Sequence, residues 1–130
     1  MIKSFSSIGL CIVSLGLAAP ASAHHSAAMF DRTKQTTIKG TIKEFQWTNP
    51  HVWIQIMVPN AQGVAEEWSI EAGSPNMLYR QGWDDKAFKP GDQVSLTVNP
   101  LRNGGHGGSF LAGVLANGKQ VGNANARLPG

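Results

Sequence analysis

Residues 39–58, KGTIKEFQWTNPHVWIQIMV, decide the fold. The second half of this stretch, residues 52–58, is dense in the β-branched and aromatic side chains that favour a strand. Asn49-Pro50 in the middle is a turn signal, because Pro50 disfavours the helical conformation at the residue before it. The stretch therefore predicts a β-hairpin with His51 at its tip. Two tryptophans flank the tip, Trp47 and Trp53.

The rest of the chain continues the β pattern and interrupts it once. The first strand of the hairpin extends back to about residue 35, and alternating or β-rich segments predict the other three main strands at residues 65–72, 93–99 and 109–116. The turn dipeptide Asn117-Gly118 allows a short return strand at 119–121 in addition to these five. A short helix is predicted over 75–81, because Ser74 is a good N-cap, Pro75 suits the first helical position and Gly82 follows the last turn.

The order strand, strand, strand, helix, strand, strand is that of the OB-fold, a five-stranded Greek-key barrel. Gly40 and Gly113 fall inside the first and fifth strands, where a small barrel has to bend. An immunoglobulin-like sandwich is the alternative, but that fold has about seven strands and no central helix. We therefore predict a mainly β, OB-like barrel with one short helix between strands three and four.

The first 23 residues resemble a secretory signal peptide. Lys3 supplies the positive start, residues 8–18 form a short apolar segment, and Ala21-Ser22-Ala23 is a small-x-small cleavage site. A retained anchor is disfavoured, since the apolar segment is shorter than the ~20 residues of a spanning helix. We expect a periplasmic or secreted protein with a barrel domain at residues 24–121 and a flexible tail at 122–130.

Cleavage removes the only cysteine, Cys11, so the mature chain has no disulfide, thiol nucleophile or cysteine-based metal site. It also removes Lys3, which leaves ten basic and eight acidic residues. This near balance, together with export, argues against nucleic acid as a partner. No membrane association is expected after cleavage.

Several short motifs are distributed over the mature chain: HHS at 24–26, FD at 30–31, WTNPHVW at 47–53, SPNMLYRQGW at 74–83 and KPGDQV at 89–94. Together they resemble a family of small secreted bacterial proteins catalogued as a domain of unknown function. The NPH hairpin tip is the most specific of these motifs. The resemblance implies an exported single-domain protein and names no catalytic residue.

Histidines suggest a metal site. In an OB-like barrel His51 lies in the loop between strands one and two and His106 in the loop between strands four and five, and these loops flank the usual ligand-binding face. After cleavage, the α-amine and imidazole of His24 can chelate one ion. The hypothesis is a Cu(II) site of His24 with His51 or His106, with zinc as the runner-up metal. The alternative is that all of these histidines are structural or solvated.

Tryptophans suggest a second hypothesis, a metal-free barrel that binds a small ligand, a sugar or a protein partner. Its ligand-binding candidates are Trp47, Asn49, Trp53 and Arg102. The competing interpretation is that the indoles form the core of so small a domain. A third possibility is an accessory role as a partner of a larger assembly in the cell envelope.

Signals of an enzyme are few. The adjacent pairs Glu66-Glu67 and Asp84-Asp85 place their two carboxylates in different directions, so neither pair can share a proton, and a solvated face explains both. No serine lies in a nucleophile-elbow context. The sequence therefore favours a non-catalytic accessory protein.

Overall fold

A computed structural model describes residues 28–122 of the 130-residue chain. The order of elements is β1, β2, β3, α1, β4, β5 and a short β6. Their bounds are β1 Thr36–Gln46, β2 Trp53–Pro59, β3 Ala65–Glu71, α1 Pro75–Arg80, β4 Gln93–Pro100, β5 Gly107–Val114 and β6 Gln120–Gly122. The hairpin, the helix and the strands predicted from the sequence are all present, with β5 beginning two residues earlier than predicted.

The strands close into a five-stranded barrel. β1 pairs antiparallel with β2 through its second half and with β4 through its first half. β2 pairs antiparallel with β3, and β4 with β5. A parallel pairing between β3 and β5 completes the circle, and β6 adds to the outer edge of β5. This closure, with one helix between β3 and β4, confirms the predicted OB-like architecture.

Gly40 lies where β1 changes partner from β4 to β2. A Cβ atom at this position would lie 2.1 Å from the carbonyl oxygen of Met57, so only glycine fits while the two strands remain this close. A bulge between Ile42 and Glu44 adds to the bend. The prediction that Gly40 marks a bend is therefore confirmed, and the reason is a backbone contact.

Helix α1 packs into the core through Leu78, its one buried residue. The Ser74 side chain accepts a hydrogen bond from the Met77 N–H, and Pro75 occupies the start of the helix, as predicted. The chain then packs Trp83 and Phe88 into the core by edge-to-face contacts. Within residues 28–122, no helix has the length and apolar character needed to cross a bilayer.

The barrel interior is aliphatic. Fully buried side chains come from alternate positions of β2, β3 and β4: Ile54, Ile56, Ile70, Leu96 and Val98. Trp83 is also buried, while Trp47 and Trp68 are partly buried and pack against the core. Three of the four indoles thus contribute to packing, and Trp53 points to the opposite face of β2 from Ile54 and Ile56.

The expected signal peptide, and His24 with it, lie outside the described residues. The predicted flexible tail also lies outside them, apart from Gly122, which is the last residue of β6.

Candidate functional site

The first candidate group is a histidine–glutamate pair at the β1–β2 hairpin. His51 Nδ1 lies 2.7 Å from Glu71 Oε1, and the Glu71 side chain is only 9% exposed while that of His51 is 38% exposed. Two backbone bonds hold the pair in place: Val52 N–H donates to the Gly73 carbonyl, and Ala72 N–H donates to the Val52 carbonyl. A buried carboxylate thus restricts the ring orientation, while the His51 side chain stays partly exposed.

The second group lies at the β4–β5 loop. His106 stacks on the ring of Trp68, with centroids 5.1 Å apart and planes 13° apart. Its Nε2 lies 3.3 Å from Glu66 Oε2, and the other carboxylate oxygen of Glu66 accepts from the Asn60 amide. Trp68 also forms part of the wall of a shallow cleft of about 720 Å³ between β1 and the end of β2. His106 is therefore held in place on two sides and accessible on the others.

The segment before β1 is docked on this same loop. Arg102 donates from its backbone N–H to the Met29 carbonyl and from Nε to the Ala28 carbonyl. Phe30 forms a bridge with Leu101, antiparallel to the end of β4. Since this segment runs antiparallel to β4, its upstream end leads toward the tip of the loop that carries His106.

Asp31 terminates this docked segment. The Thr33 hydroxyl donates to Asp31 Oδ1 at 2.6 Å, and the Thr33 N–H donates to the same oxygen at 3.1 Å. These bonds, the hydroxyl bond first, lower the pKa of Asp31 below its ordinary value. The turn that leads into β1 is thus stabilised by an ionised carboxylate.

His51 and His106 are not brought together. Their partners Glu71 and Glu66 are five residues apart on β3, which corresponds to about 16 Å along an extended strand. An odd separation also directs the two carboxylates to opposite faces. Within residues 28–122, no three His, Cys, Asp or Glu side chains are grouped closely enough to hold one metal ion.

The predicted ligand-binding residues have different surroundings. Trp47 packs against Phe45, with ring centroids 5.9 Å apart, and Asn49 is exposed at the hairpin tip. Arg102 fastens the docked segment, which is a structural role. Trp53 is half-buried on the outer face of the barrel, and of the four it is the side chain best placed to contact a ligand.

Sequence reasoning missed the two glutamates. It placed Glu66 on a solvated face and assigned no contact to Glu71, but each contacts a histidine, and Glu71 is buried although it lies on the outer face. Alternation along β3 could not reveal this, because both partners come from distant loops.

Comparison with known proteins gives a family and one structural likeness. The profile of DUF6152, described as a family of unknown function, matches residues 12–110. No curated protein matches. Among solved structures, the chain is similar to the mitochondrial single-stranded DNA binding protein Rim1 from S. cerevisiae, with 13% identity, a TM-score of 0.46, and coverage of 64% of this chain and 94% of that one. The profile match spans most of the sequence, and the chain therefore belongs to DUF6152, a family whose function is not known.

Proposed function

We propose that this chain is an exported, non-catalytic binding protein that holds Cu(II) at the β4–β5 loop. The ligands are His106, Glu66 and His24. The observation that carries the proposal is the pairing of His106 with Glu66 on the loop where the N-terminal segment is docked. His51 has no part in this site, because its carboxylate partner lies at the other end of β3.

The distance between His106 Nε2 and Glu66 Oε2 suits a shared metal ion. Two ligands that each lie about 2.0–2.2 Å from one metal are roughly 3 Å apart. The observed 3.3 Å therefore requires only a small adjustment on binding. Stacking on Trp68 already restricts the imidazole, which lowers the entropy lost when the metal binds.

The proposal places His24 beside this pair. Ala28 is fixed to Arg102, and four residues of chain extend at most about 14 Å. If cleavage follows Ala23, the α-amine and the imidazole of His24 supply two further nitrogen ligands. A set of nitrogen ligands with one carboxylate favours Cu(II), which binds most tightly in the divalent series, and zinc is the alternative metal.

The test is a Cu(II) titration of protein that begins at His24, followed by calorimetry and electron paramagnetic resonance. We expect one site, and at least a tenfold weaker affinity in His106→Ala. His51→Ala is the matched control and should bind as the wild type does. Acetylation of the His24 α-amine removes one of the proposed nitrogen ligands and should also weaken binding.

Two results would refute this assignment. One is an absence of Cu(II) binding in a correctly processed sample, and the other is equal affinity in His106→Ala and His51→Ala. Export is tested separately by the intact mass of the protein from the cell envelope fraction, which should correspond to a chain beginning at His24.

A metal-free binding barrel is the second candidate function. The specific observation in its favour is the half-buried Trp53, whose indole faces outward while the neighbouring isoleucines of β2 are fully buried. Such a side chain offers a flat apolar surface that a ligand ring can cover.

A further inference from the structure

One row of side chains crosses four strands on the outer face of the barrel. The strand register pairs Gln46 of β1 with Trp53 of β2, Trp53 with Glu71 of β3, and Glu71 with Ser109 of β5. At about 4.8 Å per strand, the row is about 14 Å long. We call these four residues the outer row.

The neighbouring positions extend this polar surface. Gln55 and Ser69 are paired across β2 and β3 and point to the same face. Both are half-buried, as are Gln46 and Ser109 of the outer row. Within the described part of the chain, no hydrogen bond uses the side chains of Gln46, Gln55, Ser69 and Ser109. Two amides and two hydroxyls therefore remain available around the Trp53 indole.

His51 and Glu71 add an oriented polar group to the same face. The contact of Nδ1 with the buried carboxylate restricts the orientation of the imidazole, and the His51 side chain remains partly exposed beside the hairpin. A buried acceptor that orients an accessible ring is the arrangement expected where a ligand contact must be positioned.

The charge of this face restricts the ligand. Glu44 and Glu67 lie on it together with Glu71, and Lys43 at its margin is paired with Glu67 at 2.5 Å. The outer row itself contains no lysine or arginine. Nucleic acid requires basic side chains that contact phosphates, so this face disfavours it. Uncharged hydroxyl-rich ligands suit amides, hydroxyls and an indole.

We propose that the outer face binds a neutral oligosaccharide. Trp53 stacks on one sugar ring, and Gln55, Ser69 and Ser109 exchange hydrogen bonds with its hydroxyls. This inference rests on the proposed role as a binding protein and is independent of the copper site, which uses a different end of β3.

The test titrates the mature protein with chitohexaose and cellohexaose, and with a heparin hexasaccharide and a deoxythymidine oligonucleotide as anionic probes. Binding is followed by Trp fluorescence and by amide chemical shifts. We expect one of the neutral sugars to bind and to shift the amides of β2 and β3. Trp53→Ala should weaken this binding at least tenfold, and Tyr79→Ala, which removes an exposed aromatic ring on α1, should leave it unchanged.

The proposal is overturned if neither neutral sugar binds at millimolar concentration, or if an anionic probe binds more tightly through this face. Equal binding by folded Trp53→Ala and wild type would also overturn it. Trp53→Phe retains a ring and should recover most of the affinity, which separates stacking from a loss of folding. Copper affinity should be unchanged in all of these variants. A result that overturns the sugar site therefore differs from one that overturns the copper site.

Discussion

Replacing Gly40 with alanine should strongly destabilise the barrel. The added Cβ would lie 2.1 Å from the Met57 carbonyl oxygen, and the neighbour is backbone, so β1 and β2 have to separate by about 1 Å to relieve the overlap. That separation weakens the ladder at the Thr41–Met57 pair. The effect is therefore local in origin but acts on the closure of the barrel.

The magnitude follows from three contributions. Overpacking of a tight site costs about 1–3 kcal/mol. Disruption of one or two ladder hydrogen bonds costs about 1 kcal/mol each. The lower entropy of the unfolded chain with alanine offsets about 0.4–1 kcal/mol. The net loss in free energy of unfolding is about 1–4.5 kcal/mol, and the middle of this range lowers Tm by roughly 10 °C or more in a domain of this size.

Urea denaturation of Gly40→Ala, followed by Trp fluorescence, measures this loss. Gly105→Ala is the matched control, because it carries the same change in unfolded-state entropy but meets only side-chain atoms, 3.1 Å away or farther. The control should lie within about 0.5 kcal/mol of the wild type. If Gly40→Ala is as stable as this control, the close approach of the two strands at Gly40 is not what shapes the barrel.

Three further predictions concern local contacts. Glu71→Ala removes the buried partner of His51 and should lower the free energy of unfolding by about 1.5–3 kcal/mol in urea denaturation, whereas Glu71→Gln retains a hydrogen-bond acceptor and should lose less. Thr33→Val should raise the pKa of Asp31 in an NMR titration, because the hydroxyl hydrogen bond that lowers this pKa is lost. In the wild type, the ionised Asp31 carboxylate stabilises the fold at pH values above its pKa in the unfolded chain. This stabilisation disappears as the pH falls through the lower pKa that Asp31 has in the folded chain. An unchanged pKa would show that the hydroxyl is not the main cause. Ser74→Ala removes the cap of α1 and should cost about 1 kcal/mol in thermal unfolding, with no change in the β-sheet signal of circular dichroism.

The sequence by itself determined the strands, the helix and their order. Alternation identified β3 and β4, the Asn49-Pro50 turn identified the hairpin, and the cap at Ser74 identified α1, because each of these signals is local. Local signals also showed that Trp53 faces away from Ile54. The predicted OB-like barrel followed from the element order and from the glycines inside the first and fifth strands.

Only the tertiary structure decided which residues meet. The carboxylates of Glu66 and Glu71 contact histidines from two different loops, and the pairing of β3 with β5 is what brings the second loop to β3. The spacing of Glu66 and Glu71 along β3 separates His51 from His106, which the sequence had placed around one ligand-binding face. Contacts between distant segments depend on strand register and on barrel closure, and no periodicity along a single strand records either of them.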